Sequence, residues 1–376
     1  MGRPVRQHRP CPAPPARLPL RGRLDRRVPG AHIGAVNRLL LVDFNNVAHR
    51  AYSIYGTQGF TGPGGEHTAL TYGVLSMTLT LIRESGATHV AFAMESKTPT
   101  HNRRMIEDFN AGLPPEGRIP EYKAGRKPMD PDMAEQLKMA GAAIVRMGWK
   151  WYRADGYEAD DILATLARQG VERFGHVFIA TSDHDLYGMV SRQITVLAAA
   201  GKPKAPAEGE APKPKSSYLH VTPEVVFEKM GVEPRQIADL RALVGDTSDG
   251  YPGCPGIGDK KAPGLLATYG TLDGVYEHVD GLPDSVKAKL IAGEPLARLS
   301  RELATLATDA PVVLDPNGGK VGAYDHEAAR LYLGGLGLHS IINRLGLPPY
   351  EPTAPAISGP AAPAMEELAI EVVPAE

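Results

Sequence analysis

An α/β fold, with a mainly parallel sheet flanked by helices and a helical subdomain after it, is predicted by three features of this 376-residue sequence. Short apolar runs alternate with segments of helical periodicity, the pattern of strands joined by crossover helices. Three of those runs end in an acid. Beyond residue 221 the strand-like runs stop, and short helical segments broken by glycine and proline take over.

The folded region opens at Arg38. Leu39-Leu40-Leu41-Val42 reads as a buried strand with Asp43 at its carboxyl end. From Thr68 to Arg83, Leu70, Val74, Leu75, Leu79 and Ile82 recur at helical spacing. His89 to Met94 is a second strand, ending in Glu95. A helix is expected from Pro131 to Met147, with Met133, Leu137, Ala140 and Ile144 on one face. Glu158, Asp160 and Asp161 open another, whose apolar face is Ile162, Leu163, Leu166 and Val171. Val177-Phe178-Ile179-Ala180 is a third strand, running into Thr181-Ser182-Asp183, and Ile194 to Leu197 a fourth.

Around this lie three segments of biased composition. Residues 1–36 carry eight arginines against the single acid Asp25, with several prolines. They read as a disordered arm, or as translation from an upstream start codon, rather than as an organelle transit peptide, because the prolines spoil a continuous amphipathic helix. Residues 201–217 are rich in Lys, Pro, Ala and Glu, a flexible insertion. Residues 351–376 are Ala/Pro-rich with terminal acids and read as a disordered tail. The expected divisions are therefore 1–36, an α/β core at 37–220, a helical part at 221–350 and the tail.

Bulk numbers exclude several classes. No apolar run approaches the length of a membrane span. Two cysteines, Cys11 and Cys254, are too few for a disulfide framework or a cysteine zinc site and suit a reducing, cytoplasmic setting. Lys and Arg number 41 against 43 Asp and Glu, a net charge of −2. That balance hides a polar layout, because bases cluster between Lys97 and Met129 whereas acids follow apolar runs.

The acids carry the chemistry. In a parallel sheet the carboxyl ends of the strands share one edge, where ligands bind. Asp43, Glu95 and Asp183 would converge there, with Asp185 two residues on. Glu158, Asp160 and Asp161 stand at a helix start, where the dipole tolerates negative charge; Asp246 and Asp249 are further candidates. Singly, each could be a helix cap or a loop acid. Together they cannot crowd in the charged state without cations. Oxygen-only ligation selects Mg²⁺ or Mn²⁺, and two such ions suit phosphodiester displacement.

Three ordered motifs carry a family resemblance. Gly156-Tyr157-Glu158-Ala159-Asp160-Asp161 resembles the Gly-Val-Glu-Ala-Asp-Asp signature of the 5′→3′ exonucleases and flap endonucleases. Thr181-Ser182-Asp183-His184-Asp185-Leu186 is similar to that family's Thr-Gly-Asp-Lys-Asp segment. Gly245-Asp246-Thr247-Ser248-Asp249-Gly250-Tyr251-Pro252-Gly253 is similar to its Gly-Asp-Ser-Ser-Asp-Asn-Ile-Pro-Gly run. The resemblance runs from about Leu39 to Pro316. It implies a PIN-like 5′-nuclease core whose metal ligands are Asp43, Glu95, Glu158, Asp160, Asp161, Asp183, Asp185, Asp246 and Asp249. It also implies that Arg50 and Lys123, with Tyr122 beside it, act on the scissile phosphate.

By the same resemblance the basic stretch 97–129, with Arg103, Arg104, Arg126 and Lys127, is an arch over a single-stranded 5′ end. Its Phe109 and Tyr122 are of the type that stacks on bases; a solvated charged loop is the alternative. Gly253-Cys254-Pro255-Gly256-Ile257-Gly258-Asp259-Lys260-Lys261 resembles a helix-hairpin-helix that binds duplex phosphates, with K⁺ as a further ion; Pro263 and Gly264 are expected to weaken its second helix. Three departures stand out: Glu95 replaces the usual Asp, Asn110 to Pro115 is an insertion, and Asn45-Asn46 replaces small residues. The function implied is hydrolysis of DNA from 5′ ends and at 5′ flaps, RNA primers on DNA included, by a monomer with no polymerase segment following. A catalytically silent DNA-binding protein of the same fold and an RNA-directed nuclease are the rivals.

Overall fold

The structure, a computed structural model, describes residues 37–56, 59–96, 98–125, 129–200 and 217–351. The basic arm, the insertion up to residue 216, Arg126, Lys127 and the tail from residue 352 lie outside the described residues.

In chain order the elements are β1 (Arg38–Asp43), α1 (Phe44–Tyr55), α2 (Ala69–Ser85), β2 (His89–Ala93), α3 (His101–Ala111), α4 (Pro131–Arg146), β3 (Lys150–Tyr152), α5 (Ala159–Gly170), β4 (His176–Ala180), β5 (Ile194–Ala199) and β6 (Tyr218–Val221). Then come α6 (Pro223–Met230), α7 (Ile237–Val244), α8 (Ala262–Tyr269), α9 (Leu272–Glu277), α10 (Asp284–Ala304), α11 (His326–Gly335) and α12 (His339–Arg344). The strands form one sheet in the order β3-β2-β1-β4-β5-β6. All pairs are parallel except β5 with β6, which is antiparallel.

β1 shows why the sheet is covered on both faces. Leu39 and Leu41 point into one core with Ile162, Leu166 and Ile179; Leu40 and Val42 point into another with Phe44, Val74 and Ile144. All four are buried, and each such side chain contributes about 1.5–3 kcal/mol relative to exposure. A half-exposed strand would alternate with polar residues; a doubly covered one reads as a continuous apolar run. The first core continues without a break from α5 into the helices after β6, where it holds Leu240, Leu243, Leu266 and Leu290.

Local signals set the helix ends. Asp130 accepts a hydrogen bond from the Asp132 amide ahead of Pro131, which stands at the first helical position. Glu158 and Asp161 form a reciprocal capping box on α5. α2 stops at Gly86, whose φ of 63° suits a residue without Cβ. α8 forms despite Pro263 and Gly264, because the proline lies in the first turn, where no intrahelical amide is needed.

The segment between β2 and α4 is not a plain basic loop. It contains α3, and a small third core fixes its base: Ile106 packs with Tyr122, Tyr251, Leu299 and Leu303. Asn102 Nδ2 donates to the Leu303 carbonyl at 3.2 Å, and Tyr251 OH donates to the same oxygen at 3.2 Å. Among the described residues no helix is long and apolar enough to cross a membrane.

Candidate active site

The strand order reverses direction between β1 and β4, and such a switch point opens a crevice at the carboxyl ends of the strands. Asp43, the last residue of β1, stands at its mouth. Its Oδ1 accepts from the Asn46 amide at 3.0 Å, so it caps α1, and its Oδ2 accepts from Thr181 Oγ1 at 2.9 Å across the crevice. Burial pushes its carboxyl up to about 6, with Asp183 and Glu95 adding repulsion against the Asn46 and Thr181 hydrogen bonds.

A cleft of about 710 Å³ opens here, lined by Asp43, Glu95, Glu158, Asp160, Asp183 and Lys123. They arrive from the ends of β1, β2 and β4, the start of α5 and the return of the α3 segment. Glu158 is buried and accepts from Thr100 Oγ1, Tyr122 OH and Lys123 Nζ, each at 2.9 Å. Lys123 Nζ also stands 3.9 Å from Glu95 Oε1, whose other oxygen accepts from Asn45 Nδ2 at 3.5 Å. Lys123 holds a left-handed backbone, φ 56°, an uncommon conformation for a residue with Cβ. Tyr122 stacks on Tyr251 with rings 6.5 Å apart, and burial raises its phenol far above the usual range.

A second group lies beside the first. Asp185 Oδ1 accepts from Arg241 Nε at 2.8 Å, and Arg241 Nη1 is 3.0 Å from Asp246 Oδ2. Asp246 Oδ1 accepts from the Ser248 amide and hydroxyl. Asp249 is buried close by, its charge acting on Asp185. Burial, then Asp183, push Asp185 up to about 7 against the pull of Arg241. For Asp246 burial is outweighed by Ser248 and Arg241, and its carboxyl falls below the usual range. Asp183 links the groups: its Oδ1 accepts from the Asp185 amide at 2.8 Å, and its charge acts on Asp43, Asp160 and Asp185.

These residues fit hard divalent cations. The donor atoms are all carboxylate oxygens. Asp160 Oδ1 is buried with no hydrogen-bond partner, an orphaned acceptor that a cation would satisfy. Burial raises Asp160 well above the usual range, with Asp183, Asp43 and Glu158 adding to it, the signature of anions gathered without enough countercharge. Among the described residues no three or more acidic, His or Cys side chains already close around one point. Glu158 and Glu95 instead lean on Lys123, and Asp185 and Asp246 on Arg241.

The structure places four further sequence-predicted site residues as follows. Asp161 does not line the cleft: its Oδ2 accepts from the Glu158 amide at 3.1 Å and its Oδ1 from the Ala307 amide at 2.9 Å, so both oxygens serve the α5 cap and the loop behind it. Arg50 is not among the cleft-lining residues either; its charge acts on the Tyr218 phenol, and His49 and Tyr52 face the cleft from α1 instead. Tyr122 sits beneath Glu158, donating to it. Gly253 is buried, its amide given to Ser300 Oγ at 2.9 Å; a Cβ there would stand 2.5 Å from the Gly245 nitrogen, so it is a close-approach glycine. The other basic candidates are exposed: Arg103 and Arg104 on α3, Lys260 and Lys261 before α8, with Gly256 and Gly258 exposed in the same turn.

Sequence reasoning missed Arg241, Thr100 and the Asn45–Glu95 contact. Arg241 had one available signal, its place five residues before Asp246. Thr100 and Glu158 are 58 residues apart, and no local pattern joins them.

Known proteins resemble this chain in sequence and in fold. Residues 38–231 match the family described as 5′-3′ exonuclease, N-terminal resolvase-like domain, and residues 232–327 match 5′-3′ exonuclease, C-terminal SAM fold. A thermostable DNA polymerase I of Thermus thermophilus is 34% identical over 311 residues, 82% of this chain and 33% of that protein. The DNA polymerase I of Chloroflexus aurantiacus is 34% identical over 290 residues, 77% of this chain and 28% of that one. The chain thus spans about a third of the length of the curated relatives it matches. Among solved structures, a T5 5′-exonuclease with bound divalent metal ions (zinc) superposes with TM-score 0.53 at 17% identity, covering 82% of this chain and 97% of that one. A bacteriophage T5 flap endonuclease pseudo-enzyme-product complex with DNA and metal ions gives TM-score 0.53 at 16% identity over the same shares. Both likenesses concern the fold.

Proposed function

The chain belongs to the 5′-3′ exonuclease family, whose members are metal-dependent nucleases, and from that premise we propose that it hydrolyses DNA phosphodiester bonds from 5′ ends and near the base of 5′ flaps. One observation carries the reading. Carboxylates from β1, β2, α5 and β4 meet in a single cleft with a lysine among them and with one buried oxygen left unsatisfied.

Asp43, Glu95, Glu158, Asp160 and Asp183 would hold one Mg²⁺ or Mn²⁺, and Asp183, Asp185, Asp246 and Asp249 a second. When bound, such ions supply Lewis-acid charge at the attacking and leaving oxygens of the phosphate. The chain's own side chains do the rest. Lys123 faces the cleft and offers its ammonium to the phosphate, where negative charge builds in the transition state. Tyr122 and Thr100 orient Glu158 by donating to it. Thr181 and the Asn46 amide each hold one Asp43 oxygen and so fix the carboxylate against rotation.

Exposed Arg103 and Arg104, with Arg126 and Lys127, would track the single strand over the α3 segment. Lys260, Lys261 and the amides near Gly256 and Gly258 would hold duplex phosphates without reading sequence. The DNA-bound T5 flap endonuclease complex supports this assignment by its fold. A K⁺ at this hairpin, RNA primers as further substrates, a monomeric state and a cytoplasmic setting belong to the same reading through the resemblance alone.

The test is an end-labelled 5′-flap duplex incubated with Mg²⁺ and with EDTA. Metal-dependent cuts near the junction support the proposal. Tight binding without cutting in any divalent ion would replace it with the silent DNA-binding protein, and preferential cutting of a matched RNA flap would replace it with the RNA-directed nuclease.

A further inference from the structure

Arg241 has no part in the chemistry assigned above, yet its position is highly constrained. It lies on α7, its side chain is 12% exposed, and it spans two acids that are 61 residues apart in the chain. Its Nε donates to Asp185 Oδ1 at 2.8 Å and its Nη1 stands 3.0 Å from Asp246 Oδ2. The remaining Asp246 oxygen is taken by the Ser248 amide at 2.8 Å and hydroxyl at 2.5 Å. Both oxygens of Asp246 and one of Asp185 are thus engaged before any divalent ion arrives.

The neighbouring group is different. Five carboxylates there face one ammonium, that of Lys123, which pairs with Glu158 at 2.9 Å, stands 3.9 Å from Glu95 and acts on Asp160 through its charge. In the second group one guanidinium bridges two of the four carboxylates, Asp185 and Asp246. The planar, rigid fork of a guanidinium suits such a bridge, whereas an ammonium on a flexible stem sets the geometry of its partners less firmly. Breaking such a buried bridge is costly, because it strands charge.

We propose that Arg241 is a positioning residue that serves as the resident cation of the second carboxylate group, holding Asp185 and Asp246 together and lowering that group's affinity for a divalent ion relative to the first. The proposal rests on the metal-nuclease reading. It follows that the two ion sites fill in order: the first group takes its ion at low concentration, and the second does so only when an ion displaces Arg241 from one carboxylate. Between substrates the charge of the second group stays partly offset by the chain itself.

Mn²⁺ binding to the full chain without DNA, followed by calorimetry and by electron paramagnetic resonance, tests this directly. Wild type should show a tighter and a weaker class of site. In Arg241→Gln the weaker class should tighten about tenfold or more, since a like charge has left its immediate surroundings, while the tighter class stays unchanged. Arg241→Lys keeps the charge but loses the bridge, and should tighten the weaker class by a smaller factor; it carries the test if the Gln variant does not fold. An unchanged or weakened second class in these variants, the outcome of a purely structural arginine, would overturn the proposal. Wild-type protein that binds no Mn²⁺ at all would overturn the nuclease reading and this inference together.

Discussion

The two carboxylate groups at the carboxyl edge of the sheet face the same problem of crowded like charge and meet it with different cations. The first, around Asp43 and Asp160, leans on Lys123, whose backbone is left-handed and which sits at the return of the α3 segment. It leaves Asp160 Oδ1 without a partner. The second, around Asp185 and Asp246, is bridged by Arg241 from a regular helix, and every oxygen of Asp246 is engaged. The difference shows in the carboxyl groups themselves. Burial and mutual repulsion raise Asp43 and Asp160, whereas Ser248 and Arg241 hold Asp246 below its ordinary range despite burial. One group keeps a buried oxygen open for a cation; the other has both Asp246 oxygens already engaged.

The contrast can be broken first at Lys123. Replacement by alanine should lower single-turnover flap cleavage by roughly 10²–10³-fold, the scale for losing a positioned transition-state charge, while flap binding falls far less. Parallel loss of binding and cleavage would instead make Lys123 an ordinary DNA contact.

Acidity sharpens the comparison next. Asp43 titrates at about 6 and Asp185 at about 7 in the folded, metal-free chain, against about 4 unfolded. A carboxyl that binds its proton more tightly when folded favours the folded state below its unfolded value. That contribution is lost as pH rises through about 4 to 7. Added Mg²⁺ should therefore raise the melting temperature more at pH 8 than at pH 5.5, where protons already relieve the repulsion. An equal Mg²⁺ effect at both values would contradict the clustering of raised carboxyls.

The smallest effect belongs to Asp161, which stands in the same motif as Asp160 but serves the α5 cap. Asp161→Ala should cost about 1–2 kcal/mol of stability, the scale of a lost cap, visible as a shift in denaturant midpoint. Cleavage per folded molecule should stay within a few-fold of wild type. A loss as deep as that at the cleft carboxylates would return Asp161 to the ligand set.

How much of this was legible in the sequence depended on whether the signal was local. β1, β2, β4 and β5 could be read because a strand buried on both faces is a continuous apolar run. β3 and β6 could not: they are three and four residues long, carry Lys150 and His220, and owe their strand form to a neighbour already in place. α1 had a readable stripe in Phe44, Val47, Ala48 and Ala51, masked by the polar residues between them. The cleft acids were legible from their places after strands and at a helix start. Asp161 was indistinguishable from Asp160 by motif, since adjacent helical positions face different ways and only the position of Ala307 decides which carboxylate turns inward. Arg50 failed for the same reason, one residue from His49 on α1.

The most direct test of the account is at Asp183, the residue that joins the two groups. In Asp183→Ala, single-turnover cleavage of an end-labelled 5′ flap in Mg²⁺ should fall by about 10³-fold or more, with the fold and flap binding retained. Cleavage at the wild-type rate would contradict the assignment of this carboxylate edge as the catalytic centre.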